Sequence, residues 1–148
     1  MGALLKISSI LAFIFALVGA ILLVATPWSY WWYRYEGGGY VYYGSGRVTV
    51  ASWPYGIFIG LASLLLFTCA TISILTLTNV LSSRSSIIIS LVCAIIVLIM
   101  IIIGAILTRI TMQAEGLYWS FGPAFFGGIV GSILTIIFTI IMIVAQKD

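Results

Sequence analysis

Few residues of this chain are equipped for chemistry. It contains no histidine, two cysteines (Cys69 and Cys93), six basic side chains and three acidic ones. Without histidine the commonest metal and haem ligand is missing, and so is the usual general base. The carboxylates are Glu36, Glu115 and Asp148. Glu36 and Glu115 each stand beside glycine, and nothing in their spacing sets them up as an acid–base pair. No phosphate-binding, dinucleotide-binding or metal-hydrolase motif occurs. The expectation is therefore a protein with no catalytic residues, no metal and no cofactor, and with no nucleic acid or small-molecule substrate among its partners.

The cysteines fit neither a zinc site nor a secreted disulfide framework. Cys69 lies well inside one apolar run and Cys93 about as far inside the next, so antiparallel packing puts them at similar depth. A free cysteine ordinarily behaves as a small buried hydrophobe. The sole asparagine, Asn79, precedes Val80 and Leu81, so there is no N-glycosylation acceptor.

The elements that position these groups follow from composition. A chain that is 64% hydrophobic and 6% charged, with a mean hydropathy of +1.32, lies far from soluble domains. Four uncharged runs, Ile7–Ala25, Tyr55–Thr78, Ser86–Thr108 and Ala124–Gln146, are each long enough as a helix to cross a hydrocarbon core of about 30 Å. Lys6 before an apolar run ending Leu-Val-Ala has the look of a signal peptide, but the run is longer than such peptides use. It reads as the first span. The chain is thus expected to be a single integral membrane domain, residues 1–148, folded as an antiparallel four-helix bundle. All nine charged residues fall outside these runs, whereas transporters, proton pumps and voltage sensors place ionisable groups at membrane depth.

The basic residues divide evenly between the two sides, with Lys6, Arg84 and Lys147 against Arg34, Arg47 and Arg109. Aromatic residues do not divide evenly. All five Trp and all eight Tyr lie in or beside the first and third connections, on one side of the membrane. Interfacial belts would place such rings at both surfaces. This side is taken as extracellular, with both termini cytoplasmic and the plasma membrane as the location.

The first connection, Thr26–Pro54, reads as strands separated by glycine. Trp31–Glu36, Tyr40–Tyr43 and Arg47–Ser52 are rich in aromatic and β-branched residues, and Gly37-Gly38-Gly39 and Gly44-Ser45-Gly46 divide them as turns. A small antiparallel sheet is expected there, with Trp28, Trp31, Trp32, Tyr33, Tyr35, Tyr40, Tyr42 and Tyr43 as an interaction surface. Such a sheet either caps the bundle passively or serves as a binding platform, since aromatic residues are enriched in interface cores and a sheet edge can accept a strand.

Within lipid, helices associate through small residues that let backbones approach. Rows four apart mark candidate packing faces: Ala12, Ala16 and Ala20; Gly56 and Gly60; Gly127 and Gly131. Gly104 joins Ser90, Cys93 and Thr108 on the third run. The hydroxyls of the second run, Ser63, Thr68, Thr71, Ser73, Thr76 and Thr78, spread round the helix and are expected to bond to nearby carbonyls.

Four spans, a long first outer connection with Trp28, Trp31 and Trp32 near its start and strand-like segments after them, a tight inner turn and a shorter second outer connection resemble the claudin and peripheral-myelin-protein superfamily. The paired first-loop cysteines of that family have no counterpart here. The resemblance implies a structural or adhesive role through the first outer loop, with a homo-oligomer or a larger membrane complex as the assembly. Two other roles are compatible with the composition: an accessory subunit of a respiratory or other multi-subunit membrane enzyme, and an oligomeric channel former. Abundant isoleucine beside a single Asn and a single Asp suits a hyperthermophile, hence an archaeal host.

Overall fold

The computed structural model describes residues 2–34, 41–46, 56–81, 83–114 and 118–146. Among these, the helices are α1 (Ala3–Ala25), α2 (Gly56–Leu77), α3 (Arg84–Ala114) and α4 (Pro123–Ala145), and the strands are β1 (Ser29–Arg34), β2 (Val41–Gly46) and β3 (Tyr118–Phe121). All four helices are long and apolar enough to cross a membrane. The chain is an integral membrane protein.

Local sequence explains where the helices stop. Pro27 follows closely on the end of α1, where it cannot continue a helical ladder. Asn79 closes α2 with a positive φ of 60°, the left-handed conformation that asparagine tolerates better than most residues. It sets up a Schellman end: the Val80 N–H donates to the Leu75 carbonyl at 3.0 Å and the Asn79 N–H to the Thr76 carbonyl at 3.1 Å. Ser83 then opens α3, its hydroxyl accepting from the Ser86 N–H at 3.3 Å. Pro123 begins α4 at a position where a missing N–H costs nothing.

The helices form a ring in which α1 packs on α2 and α4, and α3 on α2 and α4, with the α1/α4 contact the most extensive. Buried positions recur seven apart. They run Leu5, Ala12, Gly19 and Ser9, Ala16, Leu23 in α1; Ile59, Leu66, Ser73 and Ala62, Cys69, Thr76 in α2. In α3 they are Ile87, Ala94, Ile101, Thr108 and Ser90, Val97, Gly104, and in α4 Gly128, Thr135, Met142. A seven-residue repeat keeps one face inward only if the helices wind round each other left-handedly, the commonest geometry of membrane bundles. The rows four apart expected from sequence therefore capture half of each face. Ala12, Ala16, Ala20, Gly56, Gly104 and Gly131 are buried, while Gly60 and Gly127 are half-buried at the margin.

At 31 residues α3 is about 46 Å long, against about 35 Å for the 23-residue α1. The third connection, expected from Arg109 onward, accordingly starts later: the helix runs on to Ala114 and carries the chain to β3.

β3 belongs to the same sheet as β1 and β2. The order is β2-β1-β3, all antiparallel, with Ser29 opposite both Gly46 and Phe121. Within the described residues the first connection supplies two strands, β1 and β2, and the third connection supplies β3. The expected strand Arg47–Ser52 lies outside the described residues. Gly44-Ser45-Gly46, expected as a turn, is instead the second half of β2, where pairing with Trp31, Tyr30 and Ser29 outweighs the local preference of glycine for turns. Because β1 pairs with strands from both connections, those connections lie at the same end of the bundle.

Candidate interaction surface

The sheet is tied to the bundle where β1 and α4 begin. The Trp28 carbonyl accepts from the Gly122 N–H at 2.8 Å and the Pro27 carbonyl from the Ala124 N–H at 3.2 Å, tying the entry to β1 to the entry of α4. Glycine is required at 122, because any Cβ there would run into the Pro27 carbonyl. Trp28 is fully buried. Its indole N–H donates to Thr108 Oγ1 at 3.0 Å, and that hydroxyl in turn donates to the Gly104 carbonyl at 2.8 Å. Trp28 thus leaves the set of outer rings in which its sequence neighbours place it. A buried indole needs an acceptor, and α3 provides one.

An aromatic chain leads outward from this point. Phe121 and Phe125 stack with centroids 3.9 Å apart, Trp28 meets both edge-on at 6.1 and 5.4 Å, and Trp119 meets Phe121 edge-on at 4.8 Å. Trp119 is half-buried and Tyr30 is exposed. Across the strands, Tyr43, Trp32 and Tyr118 occupy one row and Gly44, Trp31 and Trp119 the next, with Tyr33 opposite Tyr42. Of the residues expected to form the surface, Trp31, Trp32, Tyr33, Tyr42 and Tyr43 are thus brought into one sheet by register. Tyr35 and Tyr40 lie outside the described residues. Tyr30, Tyr118 and Trp119 are strand positions that sequence reasoning left off the surface. The run Tyr-Trp-Ser-Phe carried a strand signal, but too short a one to read without its partner.

Elsewhere several hydroxyls are engaged locally. Thr68, Thr71, Ser73 and Thr76 on α2, and Thr78 just after it, each donate to the carbonyl four residues back, at 2.8 to 3.1 Å. Ser63 instead crosses to the Ala20 carbonyl of α1 at 2.8 Å. Cys69 Sγ donates to the Ser90 carbonyl of α3 at 3.3 Å, one turn from Cys93, so the two free thiols do share a depth. Lys6, Arg84 and Arg109 are exposed. Glu36 and Glu115 lie outside the described residues, and no cluster of metal-ligating side chains occurs among the described ones. No protein-family model matches the chain, and no curated protein matches it.

Proposed function

We propose that this is a non-enzymatic membrane protein whose outer aromatic sheet mediates assembly, with further copies of itself or within a larger membrane complex. The carrying observation is the placement of aromatic residues on a sheet fastened to the bundle. Tyr30, Trp31, Trp32 and Tyr33 fill most of β1, Tyr42 and Tyr43 lie on β2, and Tyr118, Trp119 and Phe121 on β3. The aromatic chain from Trp28 to Trp119 seats the sheet, and Tyr30 is open to the surroundings. Aromatic residues presented on a rigid frame bind at low entropic cost and are the usual anchors of interfaces. The local bonding of the α2 hydroxyls speaks for this role over a channel lined by that helix.

The test is a double substitution, Tyr30→Ser with Tyr42→Ser, in protein extracted from its native membrane in mild detergent. Native mass measurement should show the assembly falling to smaller particles while the helical circular dichroism is unchanged. An assembly of unaltered mass would reduce the sheet to a lid.

The outer face of the sheet is taken as extracellular. A cysteine introduced at Ser45 should then react with an impermeant thiol reagent on intact cells, and one at Ser83 should not. The reverse pattern would place the sheet inside.

A further inference from the structure

We draw no further inference here: the strongest candidate, the exposed face of α3 formed by Ile89, Val92, Ile96, Ile99, Ile103 and Ile106 at coiled-coil spacing, carries nothing because nothing in the structure shows what covers it.

Discussion

The α1/α4 seam and the attachment of α3 solve one problem in opposite ways. In lipid there is no hydrophobic gain from bringing two apolar helices together, so contact has to come from close packing or from hydrogen bonds. α1 and α4 use backbone. A Cβ on Gly131 would lie 2.9 Å from the Gly19 Cα and 3.0 Å from the Phe15 carbonyl oxygen, and one on Gly19 would lie 3.2 Å from the Gly131 Cα. Beyond the crossing, Gly127 and Gly128 admit Leu22 and Leu23, and on the other side Phe15 stacks on Phe138 at 5.7 Å. α3 is held by side chains instead: Trp28 on Thr108, Cys69 on the Ser90 carbonyl, and Ile59 against Gly104. The lesson is an asymmetry of tolerance. The first seam fails when volume is added, and the second when volume or a polar group is taken away.

The largest effect is expected where the second mode is concentrated. Trp28→Ala removes a fully buried ring that contacts two phenylalanines and donates to α3. Truncations of this size cost about 3–5 kcal/mol. Thermal unfolding in detergent should show a much lowered midpoint. A midpoint close to the parent's would mean that α3 is held without this contact.

Glycine substitutions sharpen the comparison directly, because both seams contain buried glycine, Gly131 in the first and Gly104 in the second. Gly131→Ala forces a methyl against backbone that cannot yield locally, and overpacking of this kind costs about 1–3 kcal/mol. At Gly104 the nearest atom to a new Cβ is Ile59 Cδ1 at 3.3 Å, the far end of a flexible side chain. Gly104→Ala also relieves the entropic cost of a helical glycine, about 0.5–1 kcal/mol. Its melting midpoint should stay at or slightly above the parent's while that of Gly131→Ala falls. Equal losses at the two sites would erase the distinction between the seams.

How much of this was legible in the sequence depends on the range over which each feature is determined. The helices were, apart from the end of α3, which runs through Arg109 to Ala114, because uncharged runs bounded by Pro27, Asn79 and Gly122-Pro123 are local signals. The packing faces were half legible. Searching four apart finds Ala12, Ala16 and Ala20, yet it passes over Gly19, which belongs with Leu5 and Ala12 on a seven-residue repeat, and over Gly128, which belongs with Thr135 and Met142. The sheet was least legible. Its third strand is four residues long and pairs with a strand far away in the chain, Ser29 with Phe121, so no local window contains the evidence for it. Trp28 illustrates the same limit at a single side chain. Its type suggests a membrane interface, but its fate is decided by Thr108, 80 residues away.

The smallest effects separate the two kinds of hydroxyl on α2. Ser63 and Thr71 lie on one helix, and both donate to a backbone carbonyl at similar distance, 2.8 and 2.9 Å. The Ser63 acceptor belongs to α1, so the bond joins two helices, and Ser63→Ala leaves a carbonyl inside the bundle without that donor. The Thr71 acceptor is the carbonyl of Phe67 on its own helix, so that bond joins no second element, and Thr71 is exposed. Interhelical hydrogen bonds in membranes are worth about 0.6 kcal/mol on average and rarely exceed about 1.7, whereas Thr71→Val exchanges a hydroxyl for a methyl of nearly the same shape facing lipid. Ser63→Ala should therefore lower the detergent melting midpoint by a small measurable step, and Thr71→Val should leave it unchanged or raise it. If both variants melt like the parent, the α1/α2 contact rests on packing alone, and the Cys69 bond to the Ser90 carbonyl is left as the hydrogen bond between helices in the account.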